Sequence, residues 1–303
     1  MGHDHQHGRE LRAGAQYRGR LLVAFVLAAT FMVVEFATAL VTRSLTLLSD
    51  AGHMLTDTVG VGLALAAITA AIAPRADRGR RTFGLYRLEV LAALANALLL
   101  FGVAGYVLWQ AIRRLGDPVE VPTTPMLVVA IAGLVLNLVS YRLLRPGARE
   151  NLNVRGAAME VLADAVGSAA VLVAAILMRV TGAEWVDPVF AIVLGVWILP
   201  RAGRLAGQAL RVLVQAAPPH VDLPKLRTDL AGLPGVIDVH DLHVWTLTSD
   251  MEVATAHLKV ASAADTHRVL DAARVMLRDH HRLEHATLQV EPADHVGCEE
   301  VGW

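Results

Sequence analysis

Six stretches of this chain, near 18–41, 46–73, 84–114, 124–145, 153–180 and 185–207, are apolar over lengths that can cross a bilayer, which takes about 20 residues of helix. Nothing else in the sequence constrains the fold as strongly. Backbone polar groups in lipid must be satisfied within the protein, so spans of this length are helices. The composition agrees, with 55% hydrophobic residues, 18% charged residues and a mean hydropathy of +0.49. Soluble domains carry about 45–50% apolar and about 25% charged residues. Arginines predict the orientation. Arg9, Arg12, Arg18 and Arg20 precede the first span, Arg75, Arg78, Arg80 and Arg81 follow the second, and Arg142, Arg145, Arg149 and Arg155 follow the fourth. Arg201, Arg204 and Arg211 come at the sixth, while the alternate connections are poorer. Positive charge stays inside. The expectation is a multi-pass membrane protein with both termini in the cytosol. The first segment, MGHDHQHGRELRAG, lacks the apolar core of a signal peptide, so the first span is expected to remain in the mature chain.

Past residue 208 the character changes. AAPPH (216–220) is a proline break; DLPKLRTDLAGL then reads as an amphipathic helix, GVIDVHDLHVWTL and MEVATAHLKV as strands joined by a TSD turn, ADTHRVLDAARVMLRDHH as a second helix and HATLQVEP as a last strand. The predicted organisation is a His-containing tail (1–17), a six-helix transmembrane bundle (18–207), a small cytosolic α+β domain of order α-β-β-α-β (208–292) and a C-terminal tail (293–303).

The spans contain residues that lipid disfavours. LSDAGHMLTDTVGV in the second carries Asp50, His53 and Asp57, and AAMEVLADAVGS in the fifth carries Glu160 and Asp164. Residues four apart lie about 40° apart around a helix, so His53 with Asp57, and Glu160 with Asp164, each share a face. Each ionised side chain at a span's centre costs roughly 2.5–3.5 kcal/mol, so Asp57, Glu160 and Asp164 together cost about 7–10 kcal/mol unless something binds there. One imidazole and three carboxylates from two facing helices suit a tetrahedral divalent transition metal. Imidazole points to zinc, cobalt or cadmium-like ions, and the oxygens keep manganese and iron open. The bland alternative is a polar pair that pins helix packing. Asp50 reads as a relay or a helix cap, Glu35 and Asn137 as path-lining groups or interhelical hydrogen bonds, and Gly60, Gly62, Gly102 and Gly105 as close-packing positions.

The soluble histidines offer a second candidate. His240 and His243 lie near one strand, His257 on the next, His267 on the second helix, and Glu291 on the last strand, with His285 at its start. An odd separation sends His240 and His243 to opposite faces of an ideal strand, so only one can join a site. His3, His5 and His7 form an exposed tail, and His280 and His281 complement a helix dipole. A net charge of −1 excludes a nucleic-acid surface. The single cysteine, Cys298, excludes an internal disulfide and a thiolate cluster.

These motifs carry a resemblance. VVEFATALVTRSLTLLSDAGHMLTD, RTFGLYRLEVLAALANALLL, LNVRGAAMEVLADAVGS, HDLHVWTL and LQVEP are similar to the cation diffusion facilitator family, near the bacterial cobalt–zinc–cadmium efflux proteins. The resemblance implies a homodimer with a metallochaperone-like cytosolic domain and export of divalent metal in exchange for protons. It maps the transport ligands to His53, Asp57, Glu160 and Asp164, where Glu160 stands in place of the usual His. It maps the cytosolic ligands to His240, His257, His267 and Glu291, with Gln289 where some members carry His. The cargo implied is Zn2+, or Cd2+ or Co2+; no prosthetic group is expected, and the partners are metal, protons and membrane lipid. Metal needs neutral imidazole and ionised carboxylate, so protons compete for every ligand. An intramembrane enzyme is disfavoured because HExxH and a serine nucleophile motif are missing. A membrane metal sensor with a His-rich cytosolic domain is the alternative reading.

Overall fold

Six long helices followed by a small three-stranded sheet with two helices make up the computed structural model. It describes residues 4–72, 83, 87–117, 119–149, 152–248, 251–262 and 264–295, without the side chains of 4–21, 60–72, 149, 152 and 153. The helices are α1 (Asp4–Thr42), α2 (Leu45–Ile72), α3 (Arg87–Gly116), α4 (Thr123–Leu144), α5 (Leu152–Thr181) and α6 (Val186–Leu213). Among the described residues, Leu22–Thr42, Arg87–Gly116, Thr123–Leu144, Val154–Thr181 and Val186–Leu213 are apolar and long enough to span a membrane. At 28 residues α2 is also long enough. The predicted spans hold to within a few residues except at two ends. Helix α1 begins at Asp4, so most of the expected tail is helical, and α6 runs past 207 to Leu213. No helix breaker follows Pro200 until the chain turns left-handed at Gln215 (φ 57°) ahead of Pro218.

The chain forms two compact units, residues 1–62 with 95–205 and residues 63–94 with 206–303. The first is held by a core that includes Phe31, Met32, Leu47, Met54, Met126, Val171, Met178 and Leu194. Small residues set its helix spacing. A Cβ on Gly133 would fall 2.4 Å from the Phe31 ring, and one on Gly167 would fall 2.2 Å from Asp50 Oδ1. Gly102 and Gly105 face open space within 4 Å and are not close-packing positions in this chain. Gly60 and Gly62 lie outside the described side chains.

The start of α2 is fixed from a distance. Its first N–H groups have no partners within the helix. The buried Asp187 carboxylate of α6 accepts from the backbone N–H of Leu45 (2.7 Å) and Thr46 (3.1 Å) and from Ser44 Oγ (2.7 Å). A carboxylate there also complements the helix dipole. This cap settles one alternative: Asp50 lies inside α2 and does not cap it.

The second unit contains α7 (Leu223–Ala231), β1 (Val236–Thr248), β2 (Met251–Val260), α8 (Thr266–His281) and β3 (His285–Pro292), the predicted order. The sheet runs β1-β2-β3, with β1 antiparallel and β3 parallel to β2. Asp222 and Asp265 cap α7 and α8 by accepting from N–H groups of their first turns. Val269, Ala273, Met276 and Leu277 form the buried stripe of α8. They pack on Leu226, Leu230, Ala254, Ala256 and Leu258. His281 ties α8 to α7 through Asp229 (2.9 Å), a firmer role than dipole complementation. The expected TSD turn falls on residues outside the description.

Candidate metal centres

The first group lies within the helical unit. Helix α2 presents Asp50, His53 and Asp57, and α5 presents Glu160 and Asp164. His53 Nε2 lies 3.7 Å from Asp57 Oδ2 and 3.8 Å from Asp164 Oδ1. One donor atom from each of these residues falls within 4.8 Å of the others. Zinc bonds of about 2.0–2.2 Å put tetrahedral ligand atoms about 3.4 Å apart, so small side-chain movements would close the group on an ion. Asp57 Oδ2 and Asp164 Oδ1 are buried without a hydrogen-bond partner. Buried polar atoms left unpaired are costly, and a cation between them removes that cost.

Glu160 departs from the four-ligand expectation. It shares the space with Asp57, yet its carboxylate is held by the Arg201 guanidinium. Arg201 also donates to Asp57 Oδ1 at 3.2 Å and lies with Nη1 3.3 Å from His53 Nε2. Sequence reasoning used Arg201 only as an orientation signal, because it was placed with the basic residues at the sixth span's inner end.

Glu35 and Asn137 are the other polar residues noted in the spans. Glu35 is 1% exposed, its oxygens face the Asp50 carboxyl, and neither has a hydrogen-bond donor partner. Asn137 donates to Ser168 Oγ at 3.3 Å, an α4–α5 hydrogen bond of the interhelical kind.

The second group sits on the sheet. His240, His257 and Glu291 each bring a donor atom within 4.8 Å of the others. His240 Nε2 is 3.4 Å and His257 Nδ1 2.7 Å from the Glu291 carboxylate. Two of the three are steered by a neighbour. Asp238 lies 3.2 Å from His240 Nδ1, which turns Nε2 inward, and Gln289 donates to Glu291 Oε1 at 2.8 Å. Gln289 thus orients the Glu291 carboxylate.

Two expectations about this group change. His240 pairs with His257 and His243 with Thr255, so a bulge at Asp241 and Leu242 inserts one residue into β1. Asp241 carries it with φ 48°, a conformation that Asp tolerates. The insertion cancels the odd separation and puts His240 and His243 on one face. Only His240 enters the group; His243 bonds Asp241 at 2.9 Å. That hydrogen bond, with the imidazoles of His243, His257 and His240, holds the Asp241 carboxyl below its ordinary range. His267 stays outside the group, with its side chain 84% exposed at the start of α8 and 3.5 Å from Asp271. Cys298 and His3 lie outside the described residues.

Comparisons with known proteins cover almost the whole chain. Residues 21–214 match the family described as cation efflux transmembrane domain, and residues 218–293 match the cation efflux protein, cytoplasmic domain. The metal cation efflux system protein CzcD of Cupriavidus metallidurans is 44% identical over 99% of this chain and 92% of its own length. The zinc transporter ZitB of Escherichia coli is 38% identical over 96% of this chain and 93% of its own. A cadmium, cobalt and zinc/H(+)-K(+) antiporter of Bacillus subtilis is 32% identical over 97% of this chain and 93% of its own. Among solved structures, the metal-bound C-terminal domain of the Cupriavidus transporter matches at 36% identity, covering 23% of this chain and 99% of that domain, with a TM-score of 0.23.

Proposed function

The chain belongs to the cation efflux family, and we propose that it exports zinc, with cadmium or cobalt as further cargo, from the cytoplasm in exchange for protons. Efflux transport, not catalysis, is the business of this family. The reading rests above all on the His53–Asp57–Asp164 group, whose donors lie within 4.8 Å of one another in the helical unit. Glu160 joins as a fourth ligand, a third carboxylate whose availability depends on Arg201. Cargo binds neutral imidazole and ionised carboxylates, and protons compete for the same atoms. Facing the cytoplasm, the ligands lose protons and take up metal. Facing out, protons moving down their gradient displace it, and alternating access prevents a leak. The arginine pattern supports an inner-membrane protein with both termini cytosolic, surrounded by lipid. The cytoplasmic family domain supports a homodimer. His240, His257 and Glu291, with His267 as an outlying candidate, are the proposed cytosolic ligands.

The test is metal uptake into everted vesicles under an imposed pH gradient. Zinc flux should follow the gradient, and Asp57→Ala should abolish it. Flux that persists in Asp57→Ala would refute the intramembrane site. A wild type that moves no divalent metal, yet binds it in its cytosolic domain, would leave the sensor reading in its place.

A further inference from the structure

Arg201 sits where a metal would. Its guanidinium contacts Glu160, donates to Asp57 Oδ1 at 3.2 Å and lies 3.3 Å from His53 Nε2. Three of the four acid and imidazole groups expected to hold cargo are thus in contact with one fixed cation. The contact at Nε2 uses the imidazole lone pair that a metal also needs, since a guanidinium has no acceptor to offer in return. We propose that Arg201 is a resident counter-cation of the transport site: it occupies the site while cargo is absent, and cargo binding drives it back onto Glu160 alone.

Charge explains why this chain needs such a residue. His53 neutral, with Asp57, Glu160 and Asp164 ionised, leaves three negative charges. A divalent cargo alone would leave the loaded site negative, whereas cargo with Arg201 makes it neutral. A neutral loaded site avoids the large cost of net charge in a low-dielectric surround. Where the family resemblance expects a neutral His, this chain has Glu160, and the guanidinium supplies the compensating charge. Arg201 therefore keeps the extra carboxylate from over-stabilising the cargo, and it competes for Asp57 and His53 when cargo leaves.

The inference rests on the transport-site reading above, and the experiment separates the two. Zinc and cadmium binding to the full chain in detergent would be measured by calorimetry. The membrane-site component is the part of the isotherm that Asp57→Ala removes. Arg201→Gln should tighten that component about tenfold and slow proton-driven zinc release from proteoliposomes. The figure is set at the low end for a charged contact, because the Arg201 and Glu160 side chains are 36% and 38% exposed and screened by solvent. Glu160→Gln should weaken binding, and the double variant Glu160→Gln/Arg201→Gln should return towards wild type. Arg201→Lys keeps the charge but loses the planar fork that reaches three groups at once, so it should tighten binding by about threefold, less than Arg201→Gln; if Arg201→Gln folds poorly, an unchanged or weaker Arg201→Lys overturns the inference. Unchanged or weaker binding in Arg201→Gln would overturn the inference while leaving the site intact. An isotherm that Asp57→Ala leaves untouched would overturn the site and the inference together.

Discussion

Gly167→Ala offers a sharp perturbation of the helical unit. Gly167 lies three residues beyond Asp164 on α5, and Asp50 lies three residues before His53 on α2. A methyl group there would sit 2.2 Å from Asp50 Oδ1, 3.1 Å from its Cγ and 3.4 Å from Oδ2. The closest of these is more than an ångström inside ordinary contact. Asp50 has little room to yield, being 3% exposed with Glu35 against it. Overpacking of this kind costs about 1–3 kcal/mol. Replacing a helical Gly with Ala itself gains up to about 1 kcal/mol. Gly102→Ala isolates that gain, because nothing lies within 4 Å of its Cβ position. The difference between the two variants is therefore the packing term, about 1–3 kcal/mol, or roughly 2–10 °C in melting temperature for a unit of this size. Scanning fluorimetry in detergent would read it, and vesicle zinc flux would report the effect on the site one turn away. Adding Asp50→Ala to Gly167→Ala should recover most of the lost stability. Equal melting shifts for Gly167→Ala and Gly102→Ala would refute the argument that this contact sets the α2–α5 spacing.

Asp187→Ala should destabilise the helical unit by about 2–4 kcal/mol, because it strands buried N–H groups at the start of α2, and thermal unfolding would detect it. In residues 208–295 expressed alone, His240→Ala and Glu291→Gln should each weaken zinc binding at least tenfold by calorimetry, whereas His243→Ala should change it by less than about threefold. Zinc binding to the same segment should weaken as pH falls and should release protons, a buffer-dependent heat being the direct readout. Asp241 contributes stability that is fully present above the ordinary carboxylate range and is lost as pH falls through its lowered value. His243→Ala should move that titration upward in carboxyl-detected NMR.

Much of this was legible in the sequence because membrane spans and strand patterns are local signals. Six apolar runs gave six helices, and the alternation in MEVATAHLKV gave β2 in full. Acidic residues in apolar runs are conspicuous for the same reason, so His53, Asp57 and Asp164 could be singled out before any contact was known. What escaped depends on three-dimensional neighbours. Asp187 looks like an ordinary helix-start residue, yet its partners are Ser44, Leu45 and Thr46, more than a hundred residues earlier. Arg201 looks like a positive-inside arginine, and only its contacts with Asp57 on α2 and Glu160 on α5 place it in the acidic cluster. The face of His243 was misread because a bulge shifts alternation by one residue, and HDLH gives no warning of it beyond an aspartate that tolerates positive φ.

The two candidate metal groups draw on the same donor types, imidazole and carboxylate, in opposite mechanical settings. On the sheet, His240 is braced by Asp238 and Glu291 by Gln289, while His257 is fixed opposite His240 by the strand register. An ion arriving there finds ligands already oriented, which favours retention. In the helical unit, His53 and Asp57 ride on α2 and Asp164 rides on α5, so the 3.8 Å separation of His53 Nε2 from Asp164 Oδ1 changes with any slide or tilt between those helices. Coordination distances tolerate only a few tenths of an ångström. A site divided between two helices can therefore be dismantled by a small rigid movement, whereas a site on one hydrogen-bonded sheet cannot. Release is the step a transporter has to make easy, and on this argument the helical group is suited to carry cargo and the sheet group to hold it.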